Sequence, residues 1–83
     1  MQIQVRLFAT YREIVGEGQL AWTFRDGTTV GQLVEAVLAK YPRLLGHEKS
    51  MVLAVNHEVV RLDVVLREGD EVALLPPMSG GRR

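Results

Sequence analysis

The chain has 83 residues, enough for one hydrophobic core and too few for a second. It carries ten basic and ten acidic residues, and the basic ones are spread along the sequence, which argues against nucleic acid or an anionic membrane as the main partner. The absence of cysteine excludes disulfides, thiolate metal sites and a thiol nucleophile. Because no apolar run approaches the roughly 20 residues of a membrane span and no signal peptide pattern opens the chain, we expect a cytoplasmic protein with no membrane partner.

The beginning of the chain predicts two strands joined by a short helix. Residues 2–8 alternate between apolar and polar side chains, which is typical of a half-buried strand, and Phe8 is an aromatic residue on the otherwise polar face. Residues 9–15 indicate a short helical segment that ends at the Gly-Glu-Gly of 16–18. Residues 19–24 predict the second strand.

The capping and apolar patterns predict one long helix, from Thr29 to Lys40. Thr29 and Gln32 fit the capping-box pattern, in which each side chain accepts a hydrogen bond from a backbone N–H group of the first turn. Pro42 disfavours helical backbone at the residue before it, so the helix should end near Lys40. The apolar residues recur at helical spacing and form one face. They are Val30, Leu33, Val34, Val37, Leu38 and Tyr41.

The second half of the chain predicts three more strands. Residues 42–50 are expected to be a connecting loop. The continuous apolar run at 51–55 is typical of a buried strand, and the dipeptide Asn56-His57 predicts a tight turn into a shorter strand at 58–62. Residues 71–75 predict the last strand.

The helix can cover only one face of the sheet, which predicts a two-layer α+β domain over residues 1–75, with four to five strands and one main helix. If Val72 and Leu74 point inward, the other face carries several apolar side chains among polar ones. We interpret these residues as a partner-binding surface, although single exposed apolar residues are also normal in proteins. They are Phe8, Val59, Ala73 and Leu75.

Residues 76–83 predict a flexible tail that starts directly after the last strand. Pro76 and Pro77 have no N–H group and halt the ladder, whereas Gly80 and Gly81 have no side chain and can enter a channel too narrow for a Cβ atom. At roughly 3.3–3.6 Å per extended residue, Pro76 to Gly81 reaches about 20 Å beyond the sheet. The alternative is an ordinary frayed terminus.

Side chains that would carry catalysis are nearly missing. His47 and His57 stand alone, without cysteine or the spacing of a metal site, so we expect exposed turn histidines and no bound metal. No glycine-rich nucleotide motif occurs, so the chain is expected to bind no cofactor itself. The remaining reactive group is the backbone carboxyl of the tail. Its conversion to an acyl phosphate or adenylate supplies a good leaving group, which sulfur or an amine can displace.

Several strings of the sequence occur together and in order. The most specific is Glu68-Gly69-Asp70-Glu71-Val72-Ala73 running to Pro76-Pro77-Met78-Ser79-Gly80-Gly81. The others are Leu7-Phe8-Ala9 followed by Arg12-Glu13, Thr29-Val30 at the helix start, and Ala54-Val55-Asn56 at a hairpin. From its first strand to Gly81, the chain resembles the small subunit of molybdopterin synthase, the ubiquitin-like sulfur carrier of molybdenum cofactor biosynthesis.

The resemblance implies a β-grasp (ubiquitin-like) fold with a mixed sheet, in which the first and last strands are parallel neighbours at the centre. It implies that an E1-like adenylyltransferase uses ATP and Mg²⁺ to adenylate Gly81, and that a sulfur donor converts the adenylate to a thiocarboxylate. The charged carrier would then insert its tail into the large subunit of the synthase, in an expected heterotetramer, and pass sulfur to the pterin precursor. Gly80 would thread the channel. The partner-binding residues would be Phe8, Val59, Leu75, Pro76, Pro77, Met78 and Ser79.

The sequence departs from that family at Arg82-Arg83, because the diglycine normally ends the chain. An amide-bonded Gly81 has no free carboxyl and cannot be adenylated, so our hypothesis is processing after Gly81. Two other interpretations remain open. One is a sulfur carrier for another pathway, such as thiamine synthesis or tRNA thiolation, or one that is also conjugated to lysines. The other is a non-catalytic ubiquitin-like binding module whose tail does no chemistry.

Overall fold

The computed structural model describes residues 1–77, so the predicted tail residues Met78, Ser79, Gly80, Gly81 and Arg82-Arg83 lie outside the described part. The elements in chain order are β1 (Gln2–Leu7), α1 (Ala9–Val15), β2 (Gln19–Thr23), α2 (Val30–Lys40), two 3-10 helices (Pro42–Leu44 and Glu48–Ser50), β3 (Val52–Val55), β4 (Glu58–Val59) and β5 (Glu71–Leu75). No helix among residues 1–77 is long and apolar enough to cross a membrane.

The five strands form one mixed sheet in the order β2-β1-β5-β3-β4. β1 and β5 are parallel, and the other neighbouring pairs are antiparallel. β5 is therefore the central strand and is hydrogen-bonded on both sides. This arrangement confirms the predicted α+β domain and the parallel pairing of the first and last strands.

One apolar core lies between the sheet and the helices. Strand alternation places Val72 and Leu74 of β5 inward, as predicted, beside the alternate residues Ile3, Val5 and Leu7 of β1. The helix α2 contributes the buried face that its periodicity predicted. Burying such side chains stabilises the fold by about 1.5–3 kcal/mol each, before the entropy of ordering the chain is counted.

The start of α2 is held from two directions. The predicted capping box is present: the Thr29 hydroxyl accepts from the Gln32 N–H at 3.2 Å, and the Gln32 amide oxygen accepts from the Thr29 N–H at 3.0 Å. The segment 60–66 also crosses this end, where the Leu62 carbonyl accepts from the Gly31 N–H at 2.9 Å. Two sets of acceptors thus satisfy N–H groups that a helix start would otherwise leave unpaired.

The structure differs from the sequence prediction in two connections. The expected loop at 42–50 contains both 3-10 helices, and Leu44 is fully buried, which ties this stretch to the core. The predicted strand at 58–62 is only β4, two residues long. The reason is that the backbone beyond Val60 leaves the sheet, and its Leu62 and Val64 carbonyl groups accept hydrogen bonds from the N–H groups at the start of α2.

Candidate partner-binding face

The face of the sheet opposite α2 carries a row of side chains across four strands. Arg6 of β1 pairs in register with Ala73 of β5, Ala73 pairs with Ala54 of β3, and Ala54 pairs with Val59 of β4. Since Val72 and Leu74 point inward, Ala73 and its row must point to the other side. This side is the open face of the domain.

A groove of about 360 Å³ runs over the open face. We call it the open-face groove, and its lining is mostly apolar. The lining residues are Arg6, Phe8, Val52, Ala54, His57, Val59, Glu71, Ala73, Leu75 and Pro76. The sequence prediction that Phe8, Val59, Ala73 and Leu75 share one surface is therefore confirmed geometrically, whereas their role in binding a partner stays a prediction.

The predicted partner-binding residues occupy different parts of this surface. Val59 is 76% exposed, the highest value among the large exposed apolar side chains of the described residues. Phe8 and Leu75 are half-buried, and Phe8 lies between the end of β1 and the start of α1. Pro76 lines the groove, while the exposed Pro77 does not. The tail thus starts at the margin of the groove.

Sequence reasoning missed the polar end of the groove. The Arg6 guanidinium donates to the Glu71 carboxylate at 3.3 Å, and His57 Nε2 lies 3.8 Å from the other carboxylate oxygen. The Arg6 guanidinium carbon also lies 5.3 Å from the centroid of the Phe8 ring, within cation–π distance. Arg6 and Glu71 are 65 positions apart, so only the parallel pairing of β1 and β5 brings them together.

The two histidines are not equivalent. The His57 side chain is 85% exposed in the turn between β3 and β4, as predicted. His47 is instead half-buried, and its ring meets the Tyr11 ring edge-on at a centroid distance of 5.6 Å. The prediction of an exposed His47 is therefore wrong, because its loop packs against α1. Within residues 1–77 no three potential metal ligands come together.

Comparisons with known proteins assign the chain to a family. The ThiS family model matches residues 5–81. The molybdopterin synthase sulfur carrier subunit of Chlamydomonas reinhardtii is 40% identical over 83 residues, a match that covers 98% of this chain and 100% of the relative. Small archaeal modifier protein 3 of Haloferax volcanii is 36% identical over 92 residues, with the same coverage of 98% and 100%.

A solved structure extends the likeness to the fold. The complex of subunits 1 and 2 of the molybdopterin-converting factor from Helicobacter pylori contains a chain that superposes with a TM-score of 0.71 and 27% identity. The match covers 98% of this chain and 100% of that chain. The chain therefore belongs to the ThiS family, and its full-length similarity to molybdopterin synthase sulfur carrier subunits confirms the resemblance that its sequence strings indicated.

Proposed function

We propose that this protein is the sulfur carrier subunit of a molybdopterin synthase, in which the β-grasp domain binds the partners and the carboxyl group of Gly81 carries the sulfur. One observation supports this division most directly. The central strand β5 leads through Leu75 into Pro76 at the margin of the open-face groove, so a partner that covers the groove also meets the start of the tail. The described residues supply the binding surface, and the chemistry belongs to the main chain of the tail.

The proposed activation balances as two displacement steps. A carboxylate oxygen of Gly81 attacks the α-phosphorus of ATP on an E1-like adenylyltransferase, and pyrophosphate leaves with its Mg²⁺. Hydrosulfide supplied by a sulfur donor then attacks the acyl carbon and displaces AMP, and loss of its proton leaves a thiocarboxylate on Gly81. In the synthase, this sulfur passes to the pterin precursor and water restores the carboxylate. ATP and Mg²⁺ are bound by the activating partner in this scheme, and the carrier itself holds no cofactor.

The proposed partner for sulfur transfer is the large subunit of molybdopterin synthase, in a heterotetramer. The Helicobacter pylori complex of subunits 1 and 2 supports this proposal, because one of its chains shares the fold along its full length. Within the tail, Pro76 to Ser79 would lie along the partner and Gly80 would pass its narrowest part. Since activation consumes ATP, we place the proposed reaction in the cytoplasm.

Activation as proposed requires a free carboxyl on Gly81, and Arg82-Arg83 block it. We propose that a protease removes these two residues. The measurement is mass spectrometry of the protein isolated from its native cells. A species that ends at Gly81 supports processing, and an intact chain ending in Arg83 as the only form would refute it.

The function itself is tested with two matched proteins, one ending at Gly81 and one ending at Arg83. Each is incubated with the cognate adenylyltransferase, ATP and sulfide. We expect the protein ending at Gly81 to gain the mass difference between sulfur and oxygen, and the protein ending at Arg83 to stay unchanged. If neither protein changes mass while the adenylyltransferase is active, the binding-module interpretation replaces the carrier.

A second function is favoured by one specific observation, the full-length similarity to small archaeal modifier protein 3. We propose, as an alternative use of the same activated Gly81, transfer of its acyl group to a lysine amine. The activated protein would then form an isopeptide bond to another protein instead of a thiocarboxylate. Trypsin cuts this chain after Arg67, so a branched remnant of residues 68–81 on lysines of native-cell proteins, lost when this chain is deleted, would support this use.

A further inference from the structure

The open-face groove owes its depth to two alanines. Ala54 and Ala73 pair in register at the middle of the lining and are its smallest side chains. Ala54 points to the open face, yet only 7% of its surface is exposed. Larger neighbours therefore stand around it: Val59 beside it in the row, and the paired Val52 and Leu75 one pleat along. The result is a socket with a small floor and raised walls.

The charged groups at the polar end of the socket pair with each other, while the buried Arg6 Nε has no hydrogen-bond partner among residues 1–77. Glu71 is paired with Arg6, and His57 lies near the same carboxylate. The Arg6–Glu71 pair has no net charge, so an occupant of the socket needs no charged group to neutralise it. Burying an unpaired charge against the apolar walls would cost free energy, whereas burying an apolar group there is favourable.

The volume of the socket sets the size of the occupant. A cavity of roughly 150 Å³ lined by apolar residues takes up a benzene ring. The open-face groove, at about 360 Å³, has room for one aromatic side chain together with part of the backbone or a neighbouring residue that carries it. A flat partner surface would leave this space empty, and the lining atoms would lose contacts.

We propose that the socket over Ala54 and Ala73 receives one bulky apolar side chain that projects from the large synthase subunit. This inference rests on the proposed function and specifies how the partner is recognised. Leu75 and Pro76 line the socket and continue into the tail, so a partner that holds the tail lies directly over it. A desolvated pocket near the centre of an interface is where binding energy concentrates. The inserted side chain acts as the anchor, and the tail is the part that reacts.

The test fills the socket without altering the core. Ala73→Leu adds a branched side chain that projects into the groove from the half-buried position of Ala73. Ala21→Leu is the matched control, because Ala21 pairs with Gln4 on the same open face but on edge strand β2, and it does not line the groove. We expect Ala73→Leu to weaken binding of the large subunit at least tenfold and Ala21→Leu to change it less than twofold. Binding is measured by calorimetry, with thermal unfolding of each variant as the check on folding.

A complementary experiment identifies the occupant. Exposed apolar residues of the large subunit are replaced by alanine one at a time and tested against Ala73→Leu. We expect one replacement to restore binding to Ala73→Leu while weakening binding to the unchanged carrier. This exchange also keeps the inference testable if Ala73→Leu lowers the unfolding temperature, because a misfolded carrier cannot be rescued by a smaller partner side chain.

The outcomes separate the socket from the function on which it rests. If the unchanged carrier binds the large subunit and Ala73→Leu binds equally well, the socket is refuted and the sulfur carrier stands. Equally weakened binding of both leucine variants would also refute it, because binding would then depend on the whole face and not on the socket. If the unchanged carrier does not bind the large subunit at all, the proposed partner falls, and the socket with it.

Discussion

Tyr11 is a buried residue whose polar group has no hydrogen-bond partner within the described part of the chain. Its side chain is 1% exposed, and its hydroxyl oxygen has no hydrogen-bond partner among residues 1–77. Leaving a buried polar group unpaired costs about 1–3 kcal/mol. Burial also raises the pKa of the Tyr11 hydroxyl above its ordinary value of 10.0, because the charged phenolate loses its hydration.

We predict that Tyr11→Phe is at least as stable as the unchanged protein at neutral pH, by up to about 1 kcal/mol. The raised pKa of Tyr11 means that above pH 10 the unfolded chain loses this proton while the folded chain keeps it, so stability falls as pH rises. Tyr11→Phe lacks that loss and should decline less steeply above pH 10. Urea unfolding across this range measures both effects.

The control is Tyr41→Phe, which removes a hydroxyl from a tyrosine that is only half-buried. It should leave stability at neutral pH nearly unchanged. A loss above about 1 kcal/mol in Tyr11→Phe would contradict the prediction, since a loss of that size is typical of breaking a hydrogen bond.

At the residue scale, the sequence predicted some positions and could not predict others. Strand alternation was enough to place Phe8, Val59 and Leu75 on one surface, because the period of a strand is two residues. It could not predict the positive φ of 51° at Ala9, where the chain turns from β1 into α1, because alanine carries no preference for that backbone region. Nor could it predict the Arg6–Glu71 pair, which depends on a long-range strand pairing.

At the scale of elements, α2 shows where local patterns stop being informative. Thr29 and Gln32 are three residues apart, so their capping box could be predicted from the sequence. The second support comes from Leu62 and Val64, whose carbonyl groups accept from Gly31 and Val30 at 2.9 Å. No local pattern links segments some thirty residues apart, and the apolar residues of 58–62 therefore predicted a strand longer than β4.

The crossing of α2 by this segment predicts an unusual response at Gly31. Alanine is normally favoured over glycine inside a helix by about 0.8–1 kcal/mol. A Cβ atom at Gly31, however, would lie 3.2 Å from the Leu62 carbonyl oxygen and 3.3 Å from the Leu62 Cβ. We predict that Gly31→Ala lowers the free energy of unfolding by about 1 kcal/mol, since the added contact with backbone outweighs the helix preference.

Ala39→Gly calibrates this measurement, because Ala39 is exposed in the same helix and reports the ordinary difference between the two residues. It should destabilise the protein by about 0.8–1 kcal/mol, the ordinary difference between alanine and glycine inside a helix. If Gly31→Ala instead stabilises the protein by as much as Ala39→Gly destabilises it, the segment at Leu62 moves aside freely and does not hold the helix start. Chemical denaturation of both variants decides between these results.

At the scale of the molecule, the predicted boundary between domain and tail can be tested directly. Every member of the buried core lies at or before Leu74, and the sheet ends at Leu75. We predict that a protein ending at Pro77 unfolds within about 2 °C of the full chain, equivalent to a few tenths of a kcal/mol, but can no longer acquire sulfur. A large drop in the unfolding temperature would show that the residues after Pro77 contribute to the fold.

The topology could be predicted only in part. The order of strands and helix predicted a two-layer α+β domain, because one amphipathic helix can cover only one sheet face. The parallel contact of β1 with β5 came from the family resemblance, since periodicity carries no information about which strands are neighbours. Tertiary packing also determines the structure of residues 42–50. The local sequence predicts a loop there, but burial of Leu44 in the core orders the segment.

The central position of β5 has a mechanical consequence. If a partner draws the tail into a channel, as proposed, a pull along the strand axis is transmitted to β5. Because β1 and β3 hold β5 on both sides, this force loads two ladders in shear, and many hydrogen bonds must yield together. An edge strand pulled sideways would peel away one bond at a time. The domain should therefore keep its fold when a force acts on the C-terminal end of β5, because the two neighbouring strands resist its displacement together.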